Sequence, residues 1–373
     1  MNGDISLYFH IPFCTKKCPY CHFYVVANKE PFKDALLAGF QNEWQSIRDK
    51  ITPHKLVSIY FGGGTPSLFG ARRLEAVLKT ISAPSDIEIT IEANPDGLTK
   101  EMLCDFRSLG INRLSLGVQS FEEEKLVTLG RTHTAYKAQD AVFMAFDSRF
   151  TNISIDLMYE LPRQTVAGWQ SSLTAALELP ITHLSLYNLT IEPHTGFFRR
   201  QNELTPLLPS DEDASRMYTD AIDCLTNAGF RHYEISAFCK DNLYSRHNIG
   251  YWTGRAFWGL GPSAFSYFDG KRFQNICNLQ RYIALLEEKK SPIDFVDDVS
   301  SDDRRKELLA VGLRMLEGIV LPEFEARYGP LELETNKACN KLVELGLLQQ
   351  ANDTLSLTKK GILFYDTIAS ELI

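Results

Sequence analysis

The sequence predicts an α/β protein, a partial (β/α)6 barrel with a C-terminal, mainly helical, winged-helix-like domain. Three observations predict it. Strand and helix patterns alternate six times over the first half, each strand pattern ends in glycines or polar groups, and the alternation stops near residue 205. Alternation implies parallel strands with helices over the sheet. Six units leave the barrel incomplete, since the closed form has eight.

The strands are expected at residues 5–11, 56–61, 87–93, 113–118, 152–158 and 183–189, all rich in β-branched and aromatic residues. Helical patterns separate them at 31–49, 71–81, 100–109, 135–146 and 166–177. Leu109-Gly110 closes one of these helices, and Thr99 or Asp96 opens it. A long helix follows at 210–228, with the acidic first turn Ser210-Asp-Glu-Asp suiting its dipole, and then a short strand at 233–236. Helices at 302–316, 322–328 and 334–345, a hairpin at 347–357 and a last helix after it make the final module. The units are therefore 1–205 (barrel), 206–299 (barrel extension and linker) and 300–373 (helical domain).

Composition narrows the classes. The 373 residues exceed one usual core, and 44% apolar content is that of a globular protein. No run approaches the ~20 apolar residues of a membrane helix. The start has no basic n-region, so the expected location is cytoplasmic. A net charge of −8 argues against a nucleic-acid partner.

The chemistry is concentrated in His10-Ile-Pro-Phe-Cys14-Thr-Lys-Lys-Cys18-Pro-Tyr-Cys21-His22-Phe23. Three cysteines in one tight loop suit an iron–sulfur cluster, one ligand short of a full set. A four-iron cluster there keeps one iron open to a small molecule. Zinc with His22 as fourth ligand is disfavoured, because adjacent residues seldom fold back onto one metal. Cys-x-x-Cys-His also reads as c-type haem attachment, a chemistry of other compartments, and cytosolic thiols seldom form disulfides. The other five cysteines read as buried free thiols.

At the remaining strand ends stand Gly62-Gly63-Gly64-Thr65-Pro66, Glu92-Ala-Asn94-Pro95, Gly117-Val-Gln119-Ser120, Asp156 and Asn188-Leu-Thr190-Ile-Glu192. The glycine run lacks a phosphate-loop ending and reads either as exposed backbone for a ligand or as a tight turn. Glu92, Gln119, Arg131 and Asp156 together supply what an amino-acid nucleoside needs. Carboxylates hold an ammonium or a ribose diol, and an arginine holds a carboxylate. His247, Tyr251 and Trp252 form an aromatic stretch in which imidazole is a haem-iron ligand or a core histidine.

These motifs resemble the radical S-adenosylmethionine (SAM) superfamily, in which C-x3-C-x2-C holds a [4Fe–4S] cluster whose open iron takes SAM. Leu7-Tyr8-Phe9-His10-Ile11-Pro12-Phe13-Cys14, Gly130-Arg131-Thr-His133 and Thr190-Ile-Glu-Pro193 resemble its oxygen-independent coproporphyrinogen III oxidase group. True oxidases carry a fourth cysteine where this chain has Phe23, and an N-terminal extension where this chain starts its first strand almost at Met1. His247-Asn-Ile-Gly-Tyr251-Trp252 matches the H-N-x-x-Y-W signature of the group's haem chaperone branch.

The likeness implies that Cys14, Cys18 and Cys21 hold the cluster. It implies that Tyr8, Tyr20, Gly63, Gly64, Thr65, Glu92, Gln119, Arg131 and Asp156 bind SAM, and that His247, Tyr251 and Trp252 contact haem. Glu160 and Arg163 depart from the family's glycines, which puts a second SAM in question and narrows the expected rim. The implied function is binding haem as cargo and delivering it to a recipient haem protein. The alternative is the oxidase itself, in which a 5′-deoxyadenosyl radical drives decarboxylation of two propionates of the porphyrinogen to vinyl groups. RNA modification is a third reading, opposed by the acidic balance. The C-terminal module is a recipient-docking surface, a lid or a homodimer contact, and the sequence does not choose.

Overall fold

The computed structural model describes residues 3–373, so Met1 and Asn2 of the expected first unit lie outside the described residues. Six parallel strands carry the fold. They are β1 (Asp4–Ile11), β2 (Lys55–Gly63), β3 (Glu88–Ala93), β4 (Arg113–Gln119), β5 (Ile153–Tyr159) and β6 (His183–Asn188), paired in chain order. Between them run α1 (Glu30–Ile51), α2 (Ala71–Ile81), α3 (Lys100–Ser108), α4 (Ala135–Asp147) and α5 (Val166–Leu177). Side chains alternate across a strand, and here the two sets differ in chemistry. Leu7, Phe9, Ile59, Phe61, Ile89, Ile91, Leu114, Leu116, Ile153 and Ile155 join the helices in one apolar core. The opposite set, including Ser6, Ser58, Thr90, Ser115, Ser154 and His183, is polar and buried.

Local chemistry starts the helices where expected. Thr99 accepts from the Met102 amide at α3, and Thr134 and Thr165 cap α4 and α5 in the same way. Gly110, at φ +86°, turns the chain away after α3.

Residues 206–299 are continuous with the sheet at both of its edges. After α6 (Asp211–Asn227), β7 (Arg231–Glu234) and β8 (Ala237–Cys239) extend it antiparallel beyond β6. At the far edge, β9 (Ala256–Leu260) runs parallel to β1, followed by antiparallel β10 (Phe265–Phe268), β11 (Lys271–Asn275) and β12 (Ile293–Asp297). The result is a twelve-stranded sheet in the order β12-β11-β10-β9-β1-β2-β3-β4-β5-β6-β8-β7. Sequence pattern missed β9–β12, whose aromatic residues carry no clean alternation. Between the two edge segments lies α7 (Arg246–Trp252), the aromatic stretch, folded as a short helix. Glu88, the first residue of β3, accepts from the Arg246 and His247 amides and so fixes α7 at the amino ends of the strands.

After α8 (Leu279–Glu287), the C-terminal module comprises α9 (Ser301–Gly312), α10 (Leu321–Tyr328), α11 (Leu333–Glu344), a three-stranded sheet and the closing helices α12 (Lys359–Leu363) and α13 (Tyr365–Leu372), and it has its own apolar core. Arg314 joins it to the barrel. Its guanidinium lies 4.3 Å from the Trp252 ring centroid and 5.3 Å from that of Tyr365, and it pairs with Glu234 at 3.3 Å. All eight cysteines are free. The expectation of buried thiols fails at Cys104, on the solvent side of α3, and at Cys277, which is exposed and bonded to Ser263. No helix of the described residues is long and apolar enough to cross a membrane.

Candidate active site at the carboxyl ends of the strands

The carboxyl ends of β1–β6 surround a cleft of about 400 Å³, within the size range of small-molecule sites. Cys14, Cys18, Cys21, Tyr20, Gly63, Gly64, Thr65, Glu92, Gln119, Arg131 and Asp156 all line it. The sequence separates these eleven residues by up to 142 positions, and the parallel strands bring them to one rim.

The cysteine loop leaves β1 and folds over the glycine run. Cys14 Sγ is 3.5 Å from Thr65 Oγ1, Arg131 Nη1 is 3.7 Å from Cys18 Sγ, and the Cys21 amide donates to the Cys18 carbonyl at 3.1 Å. Among the described residues no three His, Cys, Asp or Glu side chains converge on a single metal ion. The loop thus offers three thiols to one cleft without a mononuclear site.

Close packing explains the glycines. A Cβ on Gly64 would lie 2.7 Å from the Phe13 carbonyl oxygen, and one on Gly63, at φ +111°, would lie 2.6 Å from the His10 ring. The tight-turn and ligand-access readings of this run therefore coincide, since the same two residues line the cleft.

Glu92 accepts from the Tyr60 hydroxyl at 2.8 Å and from the Gly63 amide at 3.2 Å. Burial pushes its carboxyl up to about 7, against the pull of these two donors. Burial likewise pushes Asp156 up to about 6. Opposite them, Arg131 donates to Asn94 Oδ1 and to the Gly117 carbonyl, both at 2.6 Å. Asn94 also donates to Thr65 Oγ1 at 3.0 Å, so it holds the arginine and the threonine together. Gln119 ends β4 at φ +72°, a conformation uncommon for a side-chain-bearing residue and frequent at functional sites.

The supporting roles of Tyr60 and Asn94 were not read from sequence. Tyr60 shares the inward parity of Ser58 on β2, which is the signal that marks it. Tyr187 and Asn188 also line the cleft from the end of β6.

Four expected residues lie elsewhere. Tyr8 does not line the cleft; its ring packs at 6.1 Å from Tyr60 and its hydroxyl is 3.1 Å from His10 Nδ1. His247 is 1% exposed, with Nδ1 2.9 Å from Ser58 Oγ and Nε2 2.9 Å from the Tyr251 hydroxyl. Both nitrogens are engaged, so the ring presents none to haem iron in this conformation. Tyr251 packs edge-on against Phe257 at 4.6 Å, and Trp252 faces the C-terminal module. The three therefore do not form one haem face. The reason is the inward turn of α7: one side of this short helix closes the polar barrel interior and the other contacts the next module.

The departures from family glycines also read differently in space. Glu160 and Arg163 sit at φ +60° and +58° and are absent from the cleft lining. They burden the backbone instead of narrowing the rim.

A [4Fe–4S] cluster and SAM fit these residues. Three cleft-facing thiols are the donor set of an incompletely ligated cluster, and Gly64 closes so tightly on the cysteine loop that it cannot carry a Cβ. Two partly buried carboxylates and an arginine lining the same cleft suit a zwitterionic nucleoside.

Comparison with known proteins agrees. The radical SAM superfamily model matches residues 8–174, and the HemN C-terminal domain model matches 299–364. The chain is 35% identical over 361 residues to heme chaperone HemW of Lactococcus lactis, covering 95% of this chain and 94% of the relative. It is 33% identical to heme chaperone HemW of Bacillus subtilis, covering 95% and 96%, and 32% identical to that of Escherichia coli, covering 98% and 97%. Among solved structures, coproporphyrinogen III oxidase (HemN) of Escherichia coli matches with a TM-score of 0.86 and 24% identity, over 100% of this chain and 90% of that one. That likeness shows the fold. By its sequence relatives over nearly the whole length, the chain belongs to the radical SAM superfamily, in the HemN-like group that includes the heme chaperones HemW.

Proposed function

We propose that the chain is a haem-binding chaperone that delivers haem to a recipient haem protein, with a [4Fe–4S] cluster and SAM held in the cleft. The observation that carries this reading is full-length similarity to relatives named heme chaperone. Phe23 supports it: the position of the oxidase's fourth cysteine holds a half-exposed phenyl ring on the cleft rim.

Cys14, Cys18 and Cys21 would hold the cluster. Tyr20, Gly63, Gly64, Thr65, Glu92, Gln119, Arg131 and Asp156 would hold SAM, with Tyr8 acting from beneath through His10. Bound together, such groups supply one-electron chemistry. The chain itself would orient the nucleoside between Glu92, Asp156 and Arg131. Free thiols throughout suit the reducing cytoplasm.

The test is anaerobic purification, cluster reconstitution and haem titration followed by visible spectroscopy. Transfer to an apo haem protein is then measured, with a parallel assay for protoporphyrinogen from coproporphyrinogen III, SAM and reductant. Stoichiometric haem binding and transfer without porphyrinogen turnover is the expected result. Protoporphyrinogen formed over many turnovers would instead make the protein an oxidase.

A further inference from the structure

A second hollow, of about 320 Å³, lies between the end of α7 and the C-terminal module, away from the cysteine cleft. Trp252 forms one wall; Met315, Ile319, Val320 and Phe324 form the other, and Arg327 stands among them.

Two polar groups here lack proper partners. The Trp252 indole nitrogen is buried with no hydrogen-bond acceptor, an arrangement that folded proteins usually avoid. Arg327 is exposed, lies 4.9 Å from the Tyr328 ring centroid, and makes two long hydrogen bonds, at 3.5 Å to the Thr253 carbonyl and 3.4 Å to the Gly254 carbonyl, with no ion pair among the described residues. A guanidinium has five donors in a fork shaped for carboxylate. Unspent donors beside the apolar wall of Met315, Ile319, Val320 and Phe324 suit a flat apolar ring system that carries a carboxylate.

We propose that this hollow seats the edge of a porphyrin, with the ring against Trp252 and Phe324 and one propionate on Arg327. The assignment rests on the haem-carrying reading and locates the cargo. No histidine or cysteine lines the hollow, so the macrocycle is recognised by its ring and carboxylate and not by its iron. A hollow of this volume takes only part of a tetrapyrrole and leaves the rest exposed to a recipient. Glu317 and Glu323 also line the site, and they disfavour a second propionate beside the first.

The full-length protein is titrated with haem, metal-free protoporphyrin IX and protoporphyrin dimethyl ester, as wild type, Arg327→Gln and Val320→Glu. Both positions are exposed, and circular dichroism checks that each variant is folded before it is titrated. Arg327→Gln should weaken the two diacids about tenfold, the worth of one charge-assisted contact, and leave the ester unchanged. Val320→Glu should weaken all three ligands, and haem should compete with metal-free porphyrin for one site. If wild type binds haem and both variants match it with every ligand, the hollow is not the seat, although the haem-carrying reading stands. Binding of haem without binding of metal-free porphyrin would also overturn the site, by requiring an iron ligand. A wild type that binds no porphyrin would overturn both.

Discussion

Nε2 of His247 lies 2.9 Å from the Tyr251 hydroxyl, one helical turn away, and the opposite ring nitrogen lies 2.9 Å from Ser58 on β2. The histidine thus ties α7 to the barrel interior. Burial holds its pKa down at about 3, so the ring is neutral. His247→Ala leaves the Ser58 and Tyr251 hydroxyls without this partner and opens a void. The expected cost is about 2–4 kcal/mol, read by urea denaturation. The haem absorption spectrum of the folded variant should match that of wild type. A stable variant whose haem spectrum is lost or shifted would show that the ring leaves its pocket to bind iron.

The barrel and cleft were legible because strand-end residues fall on a period the chain repeats six times. Cys14, Glu92 and Gln119 each close or follow a recognisable strand, and Asp156 lies within one. The stretch 247–252 was not decidable from the sequence. A histidine, a tyrosine and a tryptophan in one short run look alike whether they face a ligand or a core. What decides it is the partner, and Ser58 and Glu88 lie 189 and 159 residues from His247. The sheet beyond β1 was illegible for a related reason. Phe265 and Phe295 are exposed and aromatic on strands that the polar/apolar alternation does not mark.

Arg163 is an exposed, left-handed residue at φ +58° that lines neither cleft nor core. Its backbone is the part in use, with its amide donating to the Leu207 carbonyl at 2.6 Å and its carbonyl accepting from Lys125 at 2.7 Å. Glycine adopts this conformation without the Cβ penalty. Arg163→Gly should therefore stabilise the protein by about 1 kcal/mol. Thermal or urea unfolding reads the gain. A loss of stability would mean that the arginine side chain carries an interaction greater than the strain.

Glu43, on α1, is a buried carboxyl outside the cleft. Its Oε2 accepts from the Tyr282 hydroxyl at 2.5 Å and the Gly261 amide at 2.9 Å, and its Oε1 accepts from Asn275 at 2.7 Å. It joins α1 and α8 to the turn after β9. Burial pushes its pKa from 4.5 up to about 7, against the pull of these three donors. Between those two values the folded state holds a proton that the unfolded chain releases. The stability contributed is therefore full below pH 4.5 and is lost as pH rises through 7. His247 slopes the other way, losing its contribution as pH falls from 6.5 towards 3. Glu43→Gln removes only the first slope, because an amide does not titrate. Compared by urea unfolding from pH ~4.5 to above ~8, the variant should gain on wild type by about 3 kcal/mol. Parallel curves would mean that Glu43 stays ionised in the folded protein, with its three donors outweighing burial.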